Sequence, residues 1–226
     1  MFPKLPTYQT FSNRLNRISE AFPLLVSSLM EQFETKPDCL QILIGDSLPV
    51  ITCSHKRAGL VAPQLTDKGY CATKKLHYYG VKIHALALKN SGSLPLPKFL
   101  SITQASIHDL TALRPVPEET FSDAIFLDKA YCDAELDRRM EQNNNQLMTP
   151  IKNNKGLSDI AKQFNNASHD MFGTAISKIR QPIESLCNWI NELTQIQNAS
   201  KVRSEAGLRV HVFGRLAAAL LVLSNF

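Results

Sequence analysis

The stretch "DAIFLDKAY", residues 123–131, decides the fold. Ala124, Ile125, Phe126 and Leu127 make an apolar run of strand length, and the run stops on a carboxylate, Asp128. A buried strand that delivers an acid at its end presents that acid from a rigid element, which is how side chains that must be held accurately are carried.

Downstream of it, Asp133 is placed to cap a helix through "AELDRRMEQ", and "QLMTPI" supplies a further strand. The segment "KNNKGLSDIAKQFNNASHDMFGTAI" reads as a loop of about 25 residues, a length usually reserved for functional or mobile segments. Ile183, Leu186, Cys187, Ile190 and Leu193 then mark a long helix beginning near Pro182, a residue tolerated in a first helical turn. Upstream, "SIHDLTALRP" reads as a short helix ended by Pro115, and "KFLSITQAS" as a strand. In "LHYYGVKIHALALK", Tyr79, Val81, Ile83, Ala85 and Ala87 alternate with the residues between them, the period of a strand. "CLQILIGDSLPVITC" opens with a strand-like run, Leu40, Ile42, Leu43 and Ile44, that ends at Gly45 and Asp46. Phe11, Leu15, Ile18, Phe22, Leu25, Leu29 and Phe33 recur at helical spacing over residues 11–33, where Pro23 bends or splits the helix.

The 226 residues carry 44% hydrophobic and 20% charged side chains, the balance of a folded globular chain. The formal net charge of +5 favours polyanionic partners weakly. Five cysteines without a CxxC pair suggest neither a zinc cluster nor a disulfide framework, and a reducing cytoplasm fits them best. No charged-then-apolar leader opens the chain, and the run "LAAALLVL" is too short to cross a bilayer, so no membrane is implied. That run reads as a helix docked on the core, with a homo-oligomer interface as the alternative.

The element order is three strands, helix, strand, helix, strand, helix. This is the order of the ribonuclease-H-like α/β fold, a mixed five-stranded sheet flanked by helices, here with a short helical N-terminal extension. In that fold the first strand, the end of the fourth and the final helix converge, and Asp46, Asp128 and Glu184 stand at those places. Two unit charges about 4 Å apart repel by roughly 4 kcal/mol at an effective dielectric near 20, so three gathered carboxylates require a positive partner. Oxygen-only ligands suit Mg²⁺ or Mn²⁺, and two such ions are the usual complement of phosphoryl-transfer sites.

"IGDSLPV", "KKLHYYGVKIHALA", "SIHDLTAL", "FLDKAY" and "RQPIESLCNWI", in this order and at these spacings, resemble the DDE transposases of bacterial insertion sequences. The resemblance implies Asp46, Asp128 and Glu184 as catalytic metal ligands, a cofactor of two Mg²⁺ or Mn²⁺ ions, and DNA as partner, both element ends and target. It also implies residues 37–226 as the catalytic domain and residues 1–36 as a helical segment of the kind that precedes it, read as a truncated DNA-binding region. Localisation would be cytoplasmic, on the nucleoid when DNA is bound. Arg180 matches the arginine of a tyrosine, arginine, glutamate and lysine signature, whereas Ser177 and Asn191 replace its flanks.

Other residues carry two readings each. Arg180 either contacts DNA or holds Glu184, one helical turn away, with the second favoured. Lys129 and Tyr131 either touch phosphate or flank the site. Asp109 either helps position DNA or a metal, together with His108, or caps its helix. Lys82 and His84 are accounted for equally well by an exposed strand edge. Lys152 and Lys155 in "IKNNKG", the lysines of "TKKLHYY" and Arg203 in "KVRSEAGLRVHVFGRL" form basic clusters that suit a solvated face singly and DNA phosphates together. The competing functions are an active transposase, a non-catalytic DNA-binding derivative of one, and a ribonuclease-H-like nuclease that hydrolyses without strand transfer.

Overall fold

The computed structural model describes residues 5–33, 41–54, 60–72, 74–116, 120, 123–150 and 159–224. Six strands among them form one mixed sheet: β1 (Ile42–Ser54), β2 (Asp67–Cys71), β3 (Leu76–Leu88), β4 (Leu96–Gln104), β5 (Ala124–Phe126) and β6 (Gln146–Met148). The helices are α1 (Tyr8–Arg17), α2 (Ala21–Glu31), α3 (Asp109–Leu113), α4 (Ala134–Gln142), α5 (Asp159–Thr194) and α6 (Glu205–Leu223).

The order across the sheet is β2, β3, β1, β5, β6, with β4 also on the outer edge of β3. β3 is long enough to serve two partners there, β2 along Leu76–Gly80 and β4 along Val81–Leu88. β1 pairs antiparallel with β3, and β5 joins β1 and β6 in parallel, through crossovers that contain α3 and α4. This is a ribonuclease-H-like arrangement with one strand more than the sequence suggests. β2 escapes sequence reading because "DKGYC" is five residues long and mostly polar. Gly69 admits it: a Cβ there would lie 2.6 Å from the Ala105 carbonyl oxygen.

Alternation along the strands sorts two apolar layers. Ile44, Leu48 and Val50 of β1, with Val81, Ile83, Ala85 and Ala87 of β3, face α5 and α6 in the larger core. Leu43, Leu86, Ile125 and Leu127 face the other way, against Leu113 of α3 and Leu136 and Met140 of α4. α6 is long and apolar enough to cross a membrane by length and composition, yet it carries seven buried residues into the larger core, Leu208, Val212 and Leu216 among them. Val26, Leu29 and Phe33 join the same core, α2 lying against α6.

Four local expectations change. β1 does not stop at Asp46 but runs 13 residues, to Ser54. Pro49 is accommodated because β5 pairs with Ile42–Ile44, which among the described residues leaves β1 with β3 as its one neighbouring strand at that point. The helical stretch 11–33 breaks over residues 18–20, and Pro23 falls in the first turn of α2, where a missing N–H costs nothing. The long loop is helical from Asp159 onward, and Pro182 sits inside α5 instead of starting it. Pro182 supplies no N–H to the Lys178 carbonyl, but Ile176, Ile183, Leu186 and Ile190 are buried, and packing on both sides of the proline holds the helix through it. Lys152 and Lys155 lie outside the described residues.

Candidate active site

The last registered pair between β1 and β5 is Ile44 with Phe126. Asp46 stands two residues further along β1 and Asp128 two residues past Phe126, just beyond the end of β5 in chain that is still extended, so continuing the register sets both acids on the same face of the sheet and at the same level. Leu127 between Phe126 and Asp128 is fully buried on the opposite face, which fixes the phase. Asp128 continues in extended conformation, and its carboxylate accepts the Lys129 N–H at 2.7 Å, capping one turn of 3-10 helix, Lys129–Tyr131. The apolar run ends on a charge because the strand gives way there to a turn that this charge caps.

Glu184 arrives from α5 and meets Asp46 through Arg180. One arm of the guanidinium, Nη1, donates to Asp46 Oδ2 at 3.0 Å; the other, Nη2, donates to Glu184 Oε1 at 2.8 Å. The arginine side chain is 14% exposed, that of Asp46 29% and that of Glu184 52%. Asp46 Oδ1 also accepts the Ser47 N–H at 2.8 Å. Burial nonetheless raises the Asp46 carboxyl above the usual aspartate range, against the lowering pull of Arg180. The positive partner that clustered acids require is therefore, in part, a residue of the chain itself.

Two buried neutral groups feel the charge of the acids. The Tyr131 hydroxyl is held protonated by burial and by the negative charges of Asp109, Asp46 and Asp128 around it. Cys187 is pushed up to about 12 by burial, with Asp46 and Glu184 adding to the effect, so it stays a thiol and offers no thiolate to a metal. Beside them opens a cleft of about 800 Å³ that runs along α5, lined by His169, Lys178, Gln181 and Glu184 and, across it, by Lys129. Arg203 is elsewhere: exposed in the turn before α6, it donates to the carbonyls of Ser200 and Val202 at 2.7 Å.

Among the described residues no three His, Cys, Asp or Glu side chains converge closely enough to hold a metal ion. The donor chemistry still fits a hard divalent cation. Asp46 and Asp128 share a face and a level, Glu184 stands one guanidinium away, and the oxygens already attract a cation, Arg180.

Sequence reasoning missed a second polar cluster, on the face of β1 opposite Asp46. Lys82 Nζ donates to Asp109 Oδ1 at 2.5 Å, Ser47 Oγ donates to Asp109 Oδ2 at 3.3 Å, and His84 Nε2 shares a hydrogen bond with Thr103 Oγ1 at 2.8 Å. Lys82 and His84 are not an exposed edge, their side chains being 16% and 7% exposed between β1 and β4. Asp109 is not the cap of α3; His108 is, its Nδ1 accepting the Leu110 N–H at 3.3 Å. The available signal was two polar residues on an otherwise apolar face of β3, with the acid of "SIHD", which the sequence presents one by one and not as a cluster.

A ribonuclease-H-like sheet with Asp46 on β1, Asp128 just past the end of β5 and Glu184 joined to Asp46 through Arg180 is an arrangement compatible with nuclease-type enzymes. Residues 37–221 match the family model of the transposase DDE domain, and the chain belongs to that family. No curated protein and no solved structure matches the chain. Membership makes DNA the substrate, and the family is generally dependent on divalent metal ions.

Proposed function

We propose that the protein is the transposase of a bacterial insertion sequence, with Asp46, Asp128 and Glu184 as its catalytic metal ligands. The observation that carries the reading is the meeting of Asp46 and Glu184 on the two arms of Arg180, with Asp128 level with Asp46 on the same sheet face. Mg²⁺ or Mn²⁺, as two ions, would supply activation of a water or a DNA hydroxyl and stabilisation of the leaving oxygen.

The chain's own residues do the rest. Asp46 on β1 and Asp128 at the end of neighbouring β5 contribute hard oxygen donors; Glu184 contributes a third from a helix whose buried side limits its movement. Lys129 and Lys178, exposed on either side of the cleft, neutralise phosphates of a duplex laid along α5. In the cleavage step a water oxygen forms a bond to phosphorus as the bond to the 3′ oxygen breaks. In the joining step that 3′ oxygen attacks a target phosphodiester and displaces its 3′ oxygen, so phosphodiester bonds are exchanged without net loss.

The test is supercoiled plasmid carrying candidate inverted repeats, incubated with protein and Mg²⁺ or Mn²⁺ beside an Asp128→Ala variant. Nicking and joined products from the natural chain alone support the reading; equal behaviour of the two proteins removes it. Cleavage without joined products favours a nuclease.

A further inference from the structure

We infer that Arg180 is an exchangeable counter-ion: it occupies the carboxylates of Asp46 and Glu184 in the DNA-free protein and surrenders them to the divalent cation when a DNA phosphate captures its guanidinium. The inference rests on the reading of Asp46 and Glu184 as cation ligands, and concerns the order in which cation and DNA arrive.

Three observations carry it. First, one guanidinium spans two carboxylates 138 positions apart in the chain, at 3.0 and 2.8 Å, so it takes an oxygen from each acid. A divalent cation on the same two acids would stand within a few ångströms of a fixed positive charge, in surroundings that screen poorly. The two cations exclude each other. Second, the grip is uneven. Asp46 is largely enclosed, while Glu184 is half exposed, so water competes for the Glu184 end of the pair and that arm opens more readily than the Asp46 arm. Third, a destination lies alongside. Arg180 falls between Lys178 and Gln181, both lining the cleft in which Lys129 and Lys178 would meet phosphates. A guanidinium pairs with phosphate in the same two-pronged geometry it uses with carboxylate, so exchange keeps its hydrogen bonds.

The exchange makes cation binding and DNA binding cooperative, and by linkage each must strengthen the other by the same factor. It also leaves the DNA-free site with an internal cation.

The measurement is Mn²⁺ affinity of the full chain, from the electron paramagnetic resonance signal of free Mn²⁺, with and without a short duplex. Arg180→Met keeps the aliphatic stem and removes the charge; Arg180→Lys keeps the charge, and circular dichroism verifies that both fold. Without DNA, Arg180→Met is expected to bind Mn²⁺ about tenfold more tightly than the natural chain, with Arg180→Lys close to the natural value. The duplex is expected to tighten Mn²⁺ binding to the natural chain by a similar factor, and to the Met variant by about twofold or less. Unchanged or weaker Mn²⁺ binding by Arg180→Met overturns the exchange alone, as does equal tightening by the Met and Lys variants. If adding Asp46→Asn to Arg180→Met leaves Mn²⁺ affinity unaltered, the ion binds elsewhere, and the reading of the acids as its ligands falls with the inference.

Discussion

Asp46 and Arg180, separated by 134 residues, are joined by a 3.0 Å hydrogen bond between the middle of β1 and the buried side of α5. The bond crosses from sheet to helix layer at the point where the larger core gives way to the cleft. It sets the electrostatics of the site, because it decides how much of the acids' charge is offset before any ion or DNA is present.

Asp46→Asn is expected to stabilise the protein in the presence of a chelator. Burial raises the Asp46 carboxyl, so its folded pKa lies above its unfolded one. Such a group contributes stability below the ordinary aspartate value of 3.8 and loses it as pH rises through the folded value. The variant should melt at higher temperature than the natural chain at pH 7, with the gain vanishing below pH 3.8, as followed by circular dichroism. Plasmid cleavage should be lost in the same variant.

The Lys82–Asp109 pair should be costly to break from one side. Asp109→Ala leaves an ammonium 16% exposed beside His84, and loss of about 2 kcal/mol is expected from urea unfolding. Lys82→Met with Asp109→Leu, which removes both charges, should cost less than Asp109→Ala alone. A double change costing the sum of the singles contradicts a coupled pair.

His84 predicts acid sensitivity. Burial pushes its imidazole down to about 4, outweighing the pull of Asp109, with Lys82 pushing the same way. A depressed histidine contributes stability above its ordinary value of 6.5 and loses it as pH falls through the folded value. Urea midpoints of the natural chain should fall between pH 6.5 and about 4, and those of His84→Gln should fall less.

Gly45 tests how closely the site depends on packing. A Cβ there would lie 2.5 Å from Leu127 Cδ2 and 2.7 Å from Leu86 Cδ2, within the layer behind Asp46. Gly45→Ala should cost about 1–3 kcal/mol and shift the neighbouring aspartate. The expected signature is a lowered melting temperature together with a loss of cleavage larger than the fraction unfolded explains.

Lys178→Ala and Lys129→Ala should each weaken DNA binding without regard to sequence. Each should also lower the slope of log affinity against log salt by about one for a direct phosphate contact. Parallel salt titrations of a random duplex measure it; slopes equal to that of the natural chain would remove these lysines from the interface.

Local pattern was enough for much of the scaffold. Period two announced β3, apolar runs announced β1 and β5, helical spacing announced α1 and α2, and Asp133 does cap α4, accepting the N–H groups of Glu135 and Leu136 at 3.0 Å. These features depend on neighbours a few residues away, which a sequence displays directly. Pairing register decided what remained. β2 exists because β3 has an outer edge left open beyond β4, and α5 begins at Asp159 because a helix anchored by Ile176 and Ile183 propagates through residues that would not start one. Lys82 is half-buried and His84 buried because β4 flanks β3 and Asp109 of α3 lies over them, and Arg180 reaches Asp46 as well as Glu184 because the packing of α5 on β1 aims it there. Such contacts join residues tens to hundreds of positions apart, and their energies arise only once the layers close, so no local periodicity encodes them.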